Sequence, residues 1–187
     1  EQSIPSPSKQ IMNIEDSVQT SIRLGRRMFK RDHPDFEAMF MLNTLLGGYY
    51  GSRLMQNLRE KKGLTYHIYS SLDTFLFGGY FLISTEVDKS RSELALNQIK
   101  KEIKRLQDQP VPARELQTVK HYLKGSFLNY FENAFAYSEL VRALSLEGGV
   151  ETFKKLLVGL ENVDSKAILE LANKYFQEKD LTLVMIS

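Results

Sequence analysis

Two side chains with useful chemistry, Arg59 and Tyr66, stand seven residues apart in the run LREKKGLTYH. We predict that a short helix ends at Gly63 and passes into a strand, which places a cation and a phenol near one corner. The planar donor fork of arginine suits carbonyl or carboxylate oxygens. A tyrosine hydroxyl can donate to an oxyanion that forms on an attacked amide. Spacing alone nevertheless favours a plainer interpretation: an exposed helix-end arginine beside Glu60 and a half-buried strand tyrosine.

The other candidate residues for catalysis and metal binding are three histidines, His33, His67 and His121. They are widely separated, and none belongs to H-E-x-x-H or to its inverted form H-x-x-E-H. A zinc site needs three or four ligands, usually with two close in sequence, and the chain has no cysteine to contribute a thiolate. We therefore predict surface or structural histidines, no tight zinc site and no cofactor in this chain. A serine-hydrolase G-x-S-x-G signature is also absent.

Two further motifs suggest binding functions only weakly. The glycine-rich run at residues 47–51 lacks the G-K-[ST] ending of a phosphate loop. It is predicted to connect two packed helices, with flexibility for substrate entry as an open alternative. The basic residues of the stretch 23–31 could mark a nucleic-acid patch. Acidic residues flank that stretch and it has no aromatic stacking platform, which favours a solvated strand end.

The overall composition is that of one ordinary globular domain. Of 187 residues, 42% are hydrophobic and 26% are charged, and the formal net charge is +2. This balance predicts no strong attraction to nucleic acid or to an anionic membrane. No apolar run approaches the roughly 20 residues of a spanning helix. We expect a soluble protein of the cytoplasm or periplasm, and the sequence does not identify which. Prolines and serines predict an interdomain linker at residues 1–8, with a single domain at 9–187.

The elements that position Arg59 and Tyr66 follow from hydrophobic periodicity. Period-two apolar residues predict two strands around Glu15–Asp16, a hairpin of residues 66–75 and 79–87, and a buried last strand at 181–186. Asp32 and Pro34 are expected to open a first helix that Gly47 and Gly48 end. Three more helices are predicted to begin at a cap on Ser52, at a capping box of Ser90 and Glu93, and at Pro112. The second of them carries an apolar stripe of Leu96, Ile99, Ile103 and Leu106. Further helices are predicted at residues 140–146, 153–160 and 168–176. Clustered strands and clustered helices predict an α+β fold, an antiparallel sheet with helices packed on one face.

Residues 48–66, GYYGSRLMQNLREKKGLTY, closely resemble the non-catalytic second domain of the pitrilysin/insulinase-type zinc peptidases, the inverzincins. The resemblance continues through GGYFLIST, the step from Asp88 into a helix, and the closing LTLVMIS. It implies a two-layer domain of a processing-peptidase-like clamshell, in which two halves close around a peptide. In that family, another domain carries H-x-x-E-H and a downstream glutamate, which bind zinc and supply the general base. The arginine and tyrosine of the opposite half fall on Arg59 and Tyr66 here.

The resemblance therefore predicts the substrate-binding domain of a zinc-dependent metalloendopeptidase that closes on an extended peptide. Arg59 and Tyr66 would bind substrate from one shared concavity, and Tyr66 would also be catalytic by stabilising the tetrahedral intermediate. Zinc would belong to a homologous domain in the same or another chain, so the isolated domain is expected to be inactive. The alternatives are a non-catalytic structural or interaction subunit of the same fold and a basic nucleic-acid-binding module.

Overall fold

The structure is a computed structural model that describes residues 7–145 and 149–187. Residues 1–6 of the predicted linker lie outside the described residues, as does residue 146 at the end of one predicted helix. The described chain contains five strands: β1 (Lys9–Met12), β2 (Gln19–Met28), β3 (Ile68–Phe75), β4 (Gly78–Asp88) and β5 (Thr182–Ile186). It also contains the α-helices α1 (Phe36–Asn43), α2 (Ser92–Asp108), α3 (Ala113–Glu132), α4 (Ala134–Ser145), α5 (Val150–Asn162) and α6 (Ser165–Tyr175).

The strands form one sheet in the order β1-β5-β2-β4-β3. All neighbouring pairs are antiparallel except β1 and β5, which run parallel from the pair Lys9 and Leu183. The α+β prediction is confirmed. The sequence did not indicate the parallel pair, because β1 and β2 are close in sequence and yet β5 lies between them.

The two faces of the sheet differ in the way that strand alternation dictates. Ile22, Leu24 and Ile83 point to one face and are almost fully buried in the helical layer. On the opposite face, Arg23 lies next to Ser84, which in turn lies next to Tyr69 on β3. Arg23 and Tyr69 are partly exposed there, so this face supplies the polar surface beside the candidate site.

The first helix is buried on almost all sides and packs against the sheet. It continues into a π-helical turn, Thr44–Gly48, that ends at the predicted glycine pair. A Cβ at Gly47 would lie 2.6 Å from the backbone nitrogen of Ser70 on β3, so only glycine allows this close approach. Helix α1 begins at Phe36, with Asp35 at the N-cap position, so the predicted start at Pro34 is two residues too early.

Two predicted helix caps are wrong. The Ser90–Glu93 capping box does not form, because the Asp88 carboxylate instead accepts a hydrogen bond from the Ser90 backbone N–H (2.8 Å). That contact opens a 3-10 turn, Lys89–Arg91, before α2 begins at Ser92. The Ser52 hydroxyl is buried and has no hydrogen-bond partner among the described residues, so it caps no helix.

The remaining helices agree with the apolar stripes. On α2, the predicted residues Leu96, Ile99, Ile103 and Leu106 are all buried. Pro112 is the N-cap residue of α3, as its position suggested. Among the residues that the structure describes, no helix is long and apolar enough to cross a membrane.

Candidate functional site

Arg59 lies on a π-helical segment, Met55–Lys61, which we call the Arg59 helix. Met55 and Leu58 of this helix are buried in the core and fix its inner side. Arg59 follows Leu58 directly, and its side chain is 38% exposed. A rigid, core-anchored element therefore presents the guanidinium to solvent.

Tyr50 and Glu60 hold the Arg59 side chain in place. The guanidinium carbon lies 5.3 Å from the centre of the Tyr50 ring, within cation–π range. Arg59 Nε lies 3.5 Å from Glu60 Oε1, and the Tyr50 hydroxyl donates a hydrogen bond to the same oxygen (2.8 Å). This hydrogen bond to the carboxylate raises the pKa of Tyr50. The predicted neighbour Glu60 is confirmed, whereas Tyr50 was not predicted.

The turn between Arg59 and Tyr66 depends on Gly63. Its φ of +55° is in the left-handed region that favours glycine. The Gly63 N–H bonds to the Arg59 carbonyl (3.0 Å), and the Leu64 N–H bonds to the Leu58 carbonyl (2.9 Å). Leu64 then buries its side chain. The two nested bonds, each one residue wider than in a Schellman motif, and the buried Leu64 stop the Arg59 helix where the sequence predicted.

Thr65 fixes the loop that carries Tyr66. Its hydroxyl lies 2.7 Å from the carbonyl oxygen of Glu86 on β4 and 3.2 Å from the backbone nitrogen of His67. Tyr66 itself is 91% exposed and precedes β3, which begins at Ile68. The interpretation of Tyr66 as a half-buried strand residue is therefore wrong, because the loop turns its ring outward before the strand starts.

A cavity of about 320 Å³ lies beside Tyr66 on the open face of the sheet. Arg23 lines it and is anchored by hydrogen bonds from Nη1 to the carbonyls of Ile22 (3.1 Å) and Thr85 (3.2 Å). Arg23 Nη2 lies 3.6 Å from Glu86 Oε1. The lining residues are Gln19, Arg23, Thr65, Tyr66, His67, Tyr69, Ser84, Thr85 and Glu86.

Arg59 is not among the residues that line this cavity. The cavity therefore does not by itself contain both candidate side chains, and their approach to one peptide stays a prediction. Arg23 and Glu86 were not predicted to be part of the site. Arg23 on β2 and Glu86 on β4 lie on the same face of the sheet. That shared face could have identified them once the register between β2 and β4 is known.

The histidines do not form a metal site in the described part of the chain. His33 stacks on Phe29, with ring centres 4.1 Å apart, and His67 lies 5.3 Å from the ring of Tyr69. Across residues 7–145 and 149–187, no group of three or more histidine, aspartate or glutamate side chains could hold a metal ion. The described residues therefore do not provide a set of ligands that fits a zinc ion.

Comparison with known proteins identifies the family. The sequence model of the family described as the peptidase M16 inactive domain matches residues 1–123 of this chain. The uncharacterized zinc protease YmxG of Bacillus subtilis is 25% identical over 181 residues, which cover 96% of this chain and 44% of that protein. The probable inactive metalloprotease YmfF of the same organism is 24% identical over 170 residues, covering 89% and 39% of the two chains.

A solved structure supports the fold. The crystal structure of a peptidase M16 inactive domain from Pseudomonas fluorescens superimposes with a TM-score of 0.84 at 24% identity and covers 97% of this chain and 44% of that one. The chain thus spans less than half the length of each of these three relatives. The predicted resemblance is confirmed: the chain belongs to the peptidase M16 inactive-domain family, a family of zinc-protease relatives.

Proposed function

We propose that this chain is the substrate-binding half of a zinc-dependent metalloendopeptidase and that it closes on an extended peptide. Zinc and the general base would come from a homologous domain in the same or another chain, where the metal would polarise the scissile carbonyl. Membership of the M16 family supports the proposal, as does the name zinc protease given to YmxG.

The observation that carries the proposal is the position of Tyr66. Its ring is 91% exposed, on a loop that Thr65 holds to β4 and that Gly63 and Leu64 hold to the Arg59 helix. Tyrosine combines an apolar ring with a polar hydroxyl, and for that reason it is enriched at binding interfaces. We infer that the Tyr66 hydroxyl donates to the oxyanion of the tetrahedral intermediate once the second half closes.

Arg59 would act earlier, in substrate binding. The Tyr50 ring contacts one face of the guanidinium and Glu60 pairs with Nε, and the Arg59 side chain makes no hydrogen bond with any described residue. Its other N–H groups therefore stay available to substrate backbone carbonyls. Because this orientation exists before peptide arrives, little side-chain entropy would be lost on binding.

Kinetics of the complete peptidase with its zinc-bearing domain test both roles. Tyr66→Phe removes one hydroxyl and should lower kcat by about 10²–10³-fold, as for a lost oxyanion donor. Arg59→Ala should raise KM, because it removes an interaction that is present before chemistry begins. Tyr130→Phe, at an exposed tyrosine of α3, is the matched control and should change neither constant. Unchanged turnover in Tyr66→Phe, with thermal melts that match the parent, would refute the catalytic role.

The second candidate is a non-catalytic structural or interaction subunit of the same fold. The specific observation in its favour is the relative YmfF, which is named a probable inactive metalloprotease. The two candidate functions predict different sequences in the rest of the protein or in its partner. An H-x-x-E-H motif in the full-length chain or in a co-purifying partner supports the peptidase, and loss of that motif from both supports the subunit.

A further inference from the structure

A second, polar cavity of about 330 Å³ lies between the Arg59 helix, α2 and the first turn of α3. We call it the Lys101 cavity. It is separate from the cavity beside Tyr66, with which it shares no lining residue. The residues that line it are Gly51, Arg53, Gln56, Asn57, Lys61, Lys62, Gln98, Lys101, Glu102, Arg105 and Glu115.

Both carboxylates of the Lys101 cavity already have partners. Arg53 holds Glu115 through two parallel hydrogen bonds, from Nε to Oε1 and from Nη2 to Oε2, each 2.8 Å long. Glu102 is only 2% exposed and accepts hydrogen bonds from Asn57 Nδ2 (2.7 Å) and Arg105 Nη1 (3.1 Å). Neither acid is therefore available to neutralise the lysines nearby.

Three lysines of the cavity remain without a counter-ion. Lys61, Lys62 and Lys101 are exposed, and none of their ammonium groups forms an ion pair or hydrogen bond within residues 7–145 and 149–187. The five cationic and two anionic side chains leave a surplus of three positive charges in this cavity, whereas the whole chain carries only +2. The lysines come from two separate elements, the end of the Arg59 helix and the middle of α2, so the fold brings like charges together.

The uncharged lining residues also favour an anion. The Gln98 Oε1 atom accepts a hydrogen bond from Asn57 Nδ2 (3.3 Å), which leaves the Gln98 amide hydrogens as donors. At the end of the Arg59 helix, the carbonyls of Leu58 and Arg59 accept bonds from Leu64 and Gly63. These two carbonyls are thus already bonded, while ammonium and amide donors of the cavity remain.

We propose that the Lys101 cavity binds a multiply charged oxyanion. The chemistry suits clustered phosphoryl groups of a small molecule or closely spaced carboxylates of an acidic peptide, because lysine recognises either as a point charge. This site is independent of the peptide-binding role proposed for Arg59 and Tyr66.

Calorimetric titration of the 187-residue chain tests the proposal, with inorganic pyrophosphate in one series and tetraglutamate in another. Each series runs at low ionic strength and again with added sodium chloride. We expect saturable one-to-one binding of at least one probe, weakened by salt. Lys101→Gln should weaken that binding by about tenfold or more, the value of a lost charge-assisted hydrogen bond. Lys155→Gln makes the same charge change on the exposed side of α5, outside the cavity, and should leave the affinity within about twofold.

The two probes distinguish the source of the anion. Saturable binding of pyrophosphate alone supports a phosphorylated ligand, and binding of tetraglutamate alone supports an acidic peptide. Absence of saturable binding by either probe overturns the proposal. It is also overturned if Lys101→Gln and Lys155→Gln lose the same affinity, because the binding would then follow net charge rather than this cavity. Melting curves of each variant confirm that the fold is intact.

Discussion

Replacing Gly63 with alanine should destabilise the protein through backbone conformation alone. Gly63 has φ +55°, and a Cβ placed there meets no atom within 4 Å, so the added methyl group has space. An L-residue in the left-handed region costs about 1–2 kcal/mol. Alanine also restricts the unfolded chain, which offsets about 0.4–1 kcal/mol. The net loss should therefore be about 1 kcal/mol, or roughly 2–4 °C in Tm for a domain of this size.

Gly125 provides a matched control for the same substitution. It lies in the interior of α3, and a Cβ there also meets nothing within 4 Å. Because its backbone is helical, Gly125→Ala should stabilise the protein by about 0.5–1 kcal/mol. Gly63→Asn should lose less than Gly63→Ala, because asparagine tolerates the left-handed region better. The prediction thus concerns the order of three variants as well as one magnitude.

Urea unfolding followed by circular dichroism measures these differences, and thermal melts give the same order independently. Equal stability of Gly63→Ala and the parent would refute the conformational argument. Destabilisation by Gly125→Ala as large as that by Gly63→Ala would also refute it, because the two sites would then share a steric cause that the structure does not contain.

Two further predictions concern polar contacts. Burial of the Asp35 carboxylate acts to raise its pKa. Hydrogen bonds from Lys174 and Tyr175 outweigh this effect and hold the pKa of Asp35 below its ordinary value of 3.8. A group whose pKa is lower in the folded state than in the unfolded state stabilises the fold at pH values above its unfolded-state pKa. That stability is lost as the pH falls through the folded-state pKa. Asp35→Asn should therefore be less stable than the parent at pH 7, and urea unfolding should show the difference shrinking as the pH falls below the ordinary pKa of 3.8. In the complete peptidase, Tyr50→Leu should raise KM about two- to fivefold by removing the ring over which Arg59 lies, whereas Tyr50→Phe, which keeps it, should not.

Opposite outcomes would contradict these two predictions in different ways. A constant stability difference between Asp35→Asn and the parent from pH 7 to pH 2 would show that the ionised carboxylate contributes nothing. Equal KM values for Tyr50→Leu and Tyr50→Phe would show that the ring does not orient Arg59. Lys174 is 57% exposed, so its own contact with Asp35 is expected to contribute only modestly.

The parts of the fold that the sequence predicted are those determined by neighbouring residues. The stripe from Leu96 to Leu106 has helical spacing, and it is buried along one side of α2. Gly63 ends a helix because few other residues adopt its conformation. The hairpin of β3 and β4 was likewise predicted to within two residues, because the glycines at 78 and 79 lie between two apolar runs.

The errors arose where distant or competing contacts decide the structure. Ser90 was a plausible N-cap, but Asp88 competes for its backbone N–H and wins through a charge-assisted hydrogen bond. Arg59 lies over Tyr50 only because the connection between two helical segments brings residue 50 back to the Arg59 helix. The pairing of β1 with β5 joins residues about 170 positions apart, and no local pattern encodes such a register.

The place of β5 in the sheet has a consequence for synthesis of the protein on the ribosome. Strand β5 is made after the other strands and helices described here and then enters between β1 and β2. Until it arrives, β2 has an unpaired edge, and β1 has no partner strand among the described residues. Non-local pairing of this kind slows folding and leaves an exposed edge that can pair with other chains. The place between β1 and β2 therefore stays open during synthesis until β5 has emerged.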